Sequence, residues 1–396
     1  MLRKGRFTIG ERWLLVRALL RGHKSLRFWC EFFKVSRKTA WKWRRRFEAE
    51  GRQGLRDRSC RPRRMPRQLG RLWQRRLKRW HEEEPFWGPK KIHADWFRQY
   101  GRVPALRTIA RWFGRKGWSR PRRRHSRTVK ILKRQPVTVP KKSNEVWTVD
   151  FKGWFRAGNG QRCEPLTVRD LFSRYTLLVR LLPSQHGPAV KAAFTALFRQ
   201  RGLPGIIRVD NGSPFAGRGP AGLSRLSVWW VRLGIKVEFT RPGCPQDNGA
   251  HEQFHRVLKA QTTRPPAGTR QGQQHRTTGW LKHYNQTRPH ESLGQVPPAR
   301  RYRVSRRKFA ASLPRPRYAR DFEVRQVRSN GQIKWEGHKR FIGEAFIGQQ
   351  VGLRRLKRGV WAVYFQNLLI GELHQTDRGT MRPAVRKQEI HPAKRP

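Results

Sequence analysis

Three carboxylates carry the chemistry that this chain can offer. They are Asp150 in Trp147-Thr148-Val149-Asp150-Phe151-Lys152-Gly153, Asp210 in Val209-Asp210-Asn211-Gly212-Ser213, and Glu252 in Asn248-Gly249-Ala250-His251-Glu252. The chain has 91 Lys+Arg against 25 Asp+Glu, so most of its acids should stand beside a basic partner. These three stand instead in apolar or Gly/Asn-rich settings. Hard divalent ions bind through a few carboxylate oxygens plus substrate phosphates. Two such ions can clamp the attacking and leaving oxygens of an in-line phosphoryl displacement. Acids grouped inside a cationic protein point to chemistry on nucleic acid. Arg256 and Lys259, at i+4 and i+7 from Glu252, share its helix face and could hold phosphate beside it. His251 and His255 fit packing or phosphate contact better than proton transfer. Asp170 reads as the cap of a turn, bonded to Ser173 or Arg174. Glu164 and Asp247 read as structural or loop acids.

Composition sets the partner. The formal net charge of +66 calls for a polyanion. Each phosphate neutralised releases counterions, so binding should be strong and steeply salt-dependent. A hydrophobic fraction of 36%, with 17 Trp and 21 Phe, excludes a disordered basic protein for most of the length. Its 396 residues suggest two to four domains. Cys30, Cys60, Cys163 and Cys244 form no C-x-x-C pair, so neither a disulfide framework nor a zinc ribbon is expected. The apolar run Trp13-Leu14-Leu15-Val16 is cut by Arg17, so no signal peptide or membrane span is expected. A cytoplasmic, nucleoid-associated location follows from these readings.

The elements that must position the acids come next. Residues 25–51 read as two short helices around a tight Lys34-Val35-Ser36 turn, with Ser36 as N-cap and Gly51 as stop. Ala40, Trp43 and Phe47 form the inner stripe of the second helix. Its other face carries Arg37, Lys38, Trp41, Lys42, Arg44 and Arg45, the pattern of a helix-turn-helix reading DNA. The expected divisions are a helix-turn-helix domain (1–65) and a second helical, helix-turn-helix-like domain (66–125). A basic linker (126–142) and an α/β core (143–300) follow. A second basic linker (301–323), a small β-barrel (324–375) and a basic tail (376–396) complete the chain. In the core, strands are expected at Val146 to Phe151, Leu166 to Asp170, Tyr175 to Leu182, Ile206 to Asp210 and Lys236 to Phe239. Helices are expected from Pro188, Leu226 and Asn248. Three sequential strands followed by alternating helix and strand give a mixed sheet with helices on its faces.

Read in order, these strings resemble the insertion-sequence transposases that carry a retroviral-integrase-type core. The resemblance rests on the Asp150 and Asp210 strings and on Pro245 to Lys259. It is extended by Tyr284-Asn285-Gln286-Thr287-Arg288-Pro289-His290 and Pro297-Pro298. It implies an RNase H-like core in which Asp150, Asp210 and Glu252 fall on the acidic triad. Asp210 and Glu252 are separated by 41 residues, more than is usual in the family, with the excess in the Gly-rich loop Ala216 to Gly222. Gln253 stands where many members have Arg. The zinc-binding amino-terminal module of retroviral integrases is not expected.

The expected function is that of a DNA transposase. Its expected cofactor is Mg²⁺ or Mn²⁺, two ions per site. Its expected partners are double-stranded DNA, as element ends and target, and further copies of itself on DNA. Neither a membrane nor a small-molecule substrate is expected. Two other classes fit the same residues: a DNA-binding repressor or structural protein with an inactive core, and a metal-dependent nuclease.

Overall fold

The computed structural model describes residues 7–60, 69–119, 137–241, 248–310, 312–313 and 316–384. It divides into two compact units, Met1–Gln68 and Leu69–Pro396. Most of the first expected linker and Asp247 and Cys244 lie outside the described residues.

The described residues of the first unit include three α-helices, α1 (Ile9–Arg21), α2 (Leu26–Phe32) and α3 (Arg37–Glu50). Thr8 and Glu11 form a capping box at the start of α1, and Ser25 and Ser36 cap the next two helices. The expected turn joins α2 to α3, with Val35 N–H donating to Cys30 O at 2.9 Å. The helix α1 was not expected from the sequence. Its buried side includes Arg12, a residue that reads as surface. The Arg12 guanidinium donates to Leu55 O at 2.7 Å, pairs with Asp57 at 2.8 Å and lies 4.0 Å from the centre of the Trp43 ring. Leu15, Val16, Cys30, Ala40, Trp43 and Leu55 complete the buried interior.

The second unit opens with α4 (Arg71–Glu83), α5 (Pro89–Tyr100) and α6 (Leu106–Arg115). The first of these also escapes the sequence reading, because Trp73, Leu77 and Trp80 are spaced helically inside a run of Arg and Lys. Trp87, Trp96, Trp112 and Phe113 make its core strongly aromatic. This trio contacts the end of a later helix (Arg270–Gln286), within which the Tyr284–His290 string begins, and the loop after it. Glu84 meets His283 at 2.6 Å, and Arg98 donates to Gln295 O at 2.6 Å.

The α/β core contains β1 (Val146–Phe151), β2 (Phe155–Arg156), β3 (Arg162–Asp170), β4 (Thr176–Leu182), β5 (Ile206–Val209) and β6 (Lys236–Phe239). The spatial order is β4-β3-β1-β5-β6, and β2 extends the β1 side of β3. Strands β1, β5 and β6 run parallel, and the remaining pairings are antiparallel. On one face lie α7 (Gly187–Arg201) and α8 (Arg225–Arg232), which pack Phe194, Phe198 and Trp230 onto Trp147, Val168 and Ile207. On the other lie α9 (Gly249–Thr262) and α10 (Arg270–Gln286), with Phe254, Leu258 and Tyr284 against Val179. The mixed, two-faced sheet is the expected RNase H-like arrangement, and α10 is a helix the sequence reading had not placed.

The carboxy-terminal region is all-β, but it is not the closed barrel expected. Strands β7 (Glu323–Gln326), β8 (Gln332–Trp335), β9 (His338–Phe341), β10 (Gln350–Lys357), β11 (Val360–Phe365), β12 (Leu368–His374), β13 (Gly379–Thr380) and β14 (Arg382–Pro383) form two sheets. One runs β14-β12-β11-β10-β7 and the other β13-β9-β8. Its end strands have four residues and two, too few backbone groups to bond one edge to the other. The expected tail supplies β13 and β14. Trp335, Phe346 and Phe365 are fully buried and belong to one apolar cluster with the α/β core. No helix among the described residues is long and apolar enough to cross a membrane.

Candidate active site

Asp150 lies on β1, opposite Thr167 of β3 in the antiparallel register. Asp210 is the residue directly after β5, the parallel neighbour of β1. Two adjacent parallel strands thus deliver the two aspartates to the same end of the sheet. Glu252 stands in the first turn of α9, where the helix dipole favours a carboxylate. On α9, Phe254, His255 and Leu258 are buried, whereas Glu252, Arg256 and Lys259 are exposed on the opposite stripe.

The electrostatics single out Asp150. Its carboxyl is pushed up to about 7, chiefly by burial, then by the charge of Asp210, with Glu252 adding to it. The Phe151 N–H and the Asn248 side-chain amide oppose the rise, the latter donating to Asp150 Oδ2 at 3.0 Å. Asn248 therefore orients the first acid, a role the sequence reading did not assign. Asp210 takes the Gly212 N–H at 3.3 Å, and a Cβ at Gly212 would come within 3.2 Å of its carboxylate. Among the described residues, neither Asp210 nor Glu252 forms an ion pair. Other core acids are compensated: Glu164 by Arg162 at 2.6 Å and Glu238 by Arg208 at 2.7 Å. Asp170 accepts from the Ser173 N–H and hydroxyl and from the Asn144 N–H, the turn-capping role expected of it.

Behind Asp150 is a buried polar cluster. The Thr167 hydroxyl donates to Asp150 O at 2.8 Å and meets His251 Nε2 at 2.6 Å and His255 Nε2 at 2.8 Å. A hydroxyl has one proton and two lone pairs, so both imidazoles donate from Nε2. His251 Nδ1 is then the acceptor for the Thr148 hydroxyl at 3.0 Å. Burial, with Lys152 and Arg169 nearby, pushes His255 down to about 3, so it stays neutral at 3.8 Å from Asp150 Oδ2. Both histidines are buried and hydrogen-bonded inside this cluster, which fits the packing alternative of the two that the sequence left open.

These acids do not close into a metal-binding group. Among the described residues, no three or more His, Cys, Asp or Glu side chains are gathered tightly enough to hold an ion. The described cysteines, Cys30, Cys60 and Cys163, are free.

Residues 140–245 and 233–298 match two models of the integrase core domain. Residues 322–380 match the C-terminal domain of the IS481 family transposase, and residues 2–72 the leucine-zipper of insertion element IS481. The chain carries an integrase-type core within the domain set of an insertion-sequence transposase. The insertion element IS476 uncharacterized 39.2 kDa protein of Xanthomonas euvesicatoria is 30% identical over 179 residues, 45% of this chain and 50% of that protein. The insertion element IS407 uncharacterized 31.7 kDa protein of Burkholderia multivorans is 27% identical over 220 residues, 55% of this chain and 76% of that protein. The chain thus spans about half the length of the first of these relatives. Among solved structures, the HTLV-2 integrase catalytic core domain in complex with magnesium aligns with a TM-score of 0.33 at 16% identity, covering 41% of this chain and 99% of that one. The simian T-cell lymphotropic virus intasome aligns with a TM-score of 0.37 at 13% identity, covering 66% and 86%.

The cationic face of α3 departs in one respect from expectation. Arg37, Lys38, Trp41, Lys42 and Arg45 are exposed. Arg44 is half-buried and tied to Glu48 at 2.7 Å on its own helix. Trp41, Lys42, Arg45, Arg46 and Arg58 border one shallow basin. Changing Arg37, Lys42 and Arg45 together to Ala should weaken duplex binding. It should also reduce the slope of log affinity on log salt by about one for each phosphate that is no longer neutralised. Arg44→Ala should change binding least, because its guanidinium already has a partner. Salt titrations of the full chain by fluorescence anisotropy read both effects. An unchanged slope in the triple variant rules this face out as a phosphate-binding surface.

Proposed function

We propose that this protein is a DNA transposase. It binds the ends of a mobile element, cleaves phosphodiester bonds there, and joins the 3′-OH ends to target DNA by direct transesterification. The carrying observation is the acid group at one end of the central strands. There burial, Asp210 and Glu252 together hold the proton on Asp150, whereas Glu164 and Glu238 of the same core each have an arginine partner.

Asp150, Asp210 and Glu252 are the residues that would hold Mg²⁺ or Mn²⁺, two ions per site. The donor types fit: three hard oxygen donors whose mutual repulsion a cation would relieve as it draws them together from the open arrangement described above. Such ions, when bound, supply Lewis-acid stabilisation of the attacking and leaving oxygens. Asn248 and the Thr167 cluster fix the rotamer of Asp150 and the backbone that carries it. Arg256 and Lys259 hold the phosphates next to the scissile bond. The cationic face of α3 supplies contacts to the element end.

Joining two ends to one target needs two active sites presented together. A charge of +66 per protomer opposes self-association without DNA, and the polyanion screens it. Light scattering at moderate salt should therefore report mainly monomer for the free protein and a multimer with duplexes bearing the element's ends. The same samples, given Mg²⁺ and labelled target, should yield joined product in the multimer fraction. Cleavage without joining would identify a nuclease, and joining by a single protomer would refute the assembly.

A further inference from the structure

Next to the acids lies a cleft of about 230 Å³, of whose lining the catalytic reading uses only Lys259. Its apolar lining includes Leu181, Leu258 and Pro165, and its wall is Trp154, between β1 and β2, with Phe155 at the start of β2. Lys152 and Lys259 stand together on the lining. Lys152 follows Asp150 by two residues, and Lys259 shares the exposed stripe of α9 with Glu252. The cleft therefore adjoins the catalytic group through both of its lysines.

We infer that this cleft is a nucleotide pocket, which takes one unpaired base of the DNA strand being processed while Lys152 and Lys259 clamp its phosphate. This rests on the reading above that DNA is the substrate. Three features of the cleft fit a nucleotide. The volume is below the roughly 300–1,000 Å³ of sites for drug-sized ligands, which suits a single small planar group. Two ammonium groups, Lys152 and Lys259, stand on the same lining, and a phosphate between them would meet both charges. The Trp154 ring is 54% exposed, with the Arg156 and Arg162 guanidiniums 5.6 and 5.0 Å from its centre. An exposed indole framed by cations is the arrangement on which single-stranded bases stack. Gly153 makes this wall possible. Its φ of +82° turns the chain sharply just before Trp154, and a side chain there would be strained.

The test uses the full chain in EDTA, so that no cleavage is needed. The probe is a duplex whose last two base pairs are mismatched, with 5-iododeoxyuridine at the 3′-terminal position. On irradiation the crosslink should map to Trp154. It should disappear in Trp154→Ala and in Thr263→Phe, which fills the cleft from its partly exposed rim, and persist in Thr263→Ser. Preference for the frayed over the fully paired end should fall at least about fivefold in the first two variants, the scale of one lost base stack. A crosslink mapping elsewhere, or a frayed-end preference unchanged in both variants, overturns the pocket. Joining activity without this crosslink would overturn the pocket alone. The crosslink in a protein that never joins strands would support the pocket and count against the transposase.

Discussion

Asp150→Asn, Asp210→Asn and Glu252→Gln should each lower metal-dependent strand cleavage and joining by at least about 10³-fold, the effect of several kcal/mol of lost transition-state stabilisation. Binding of element ends should change little, because Arg256, Lys259 and the α3 face are untouched. The three losses should not add. A site that needs all three carboxylates to hold its ions fails as a unit, so the double variants should be no worse than the singles. Labelled end duplexes in Mg²⁺ provide both readouts, gel retention for binding and product length for chemistry. Near-wild-type joining by any one of the three variants would remove that residue from the catalytic group. Glu164→Gln, which breaks a structural pair with Arg162, serves as the contrasting control.

The same Asp150→Asn substitution should stabilise the metal-free protein while destroying its activity. Asp150 has a folded value near 7 against an ordinary 3.8, so folding holds its proton more tightly than the unfolded chain does. Between those two values the folded state binds more protons, and stability must fall as pH rises. Below about pH 4 both states are protonated and the penalty is absent. Above about pH 7 it is fully expressed, on the order of 2–4 kcal/mol for a side chain with 21% of its surface exposed. Asparagine has no proton to lose and keeps an acceptor for the Asn248 amide. Urea midpoints of wild type and variant in EDTA should therefore coincide near pH 4, diverge through pH 4–7, and stay apart above. Taking the difference between the two proteins cancels the titration of every other group. Mg²⁺ at pH 8 should raise the wild-type midpoint and leave the variant nearly unmoved, since a ligand stabilises only the fold that binds it. Parallel pH profiles for the two proteins would show that Asp150 is not strained by its neighbours.

Stability and chemistry pull against each other at this position. The core places a carboxylate on a central strand, half-buried, with two more acids in electrostatic reach. That arrangement is unfavourable for folding and is what a cation would relieve. The remaining acids of the core show what the chain does when stability alone is at stake. Arg208 and Glu238 face each other on paired parallel strands, and Asp170 is enclosed by hydrogen-bond donors.

Local signals made much of this molecule legible in the sequence. A nearly continuous apolar run gave away β1, which is buried on both faces, and apolar–polar alternation gave away β6 at the edge of the sheet. Ser36 and Gly51 mark the ends of α3, where capping chemistry is local. The i, i+4, i+7 spacing alone set Glu252, Arg256 and Lys259 on one exposed stripe. The excess of base over acid made three acids without nearby cations conspicuous. Elements hidden under charge were not legible. The helices α1 and α4 are dense in Arg, and only the packed unit shows that Arg12 is buried against Trp43 and Asp57. Closure of the carboxy-terminal strands was also undecidable, since alternation fixes which side chains face inward but not which edges meet. The direction of Arg44 was another tertiary matter, settled by Glu48 one turn along. Above all, residue types name the acids, but only the parallel pairing of β1 with β5 and the packing of α9 bring residues 150, 210 and 252 into one electrostatic group. A pKa is a property of that neighbourhood, with its burial and its opposing charges, and a sequence by itself contains no distances.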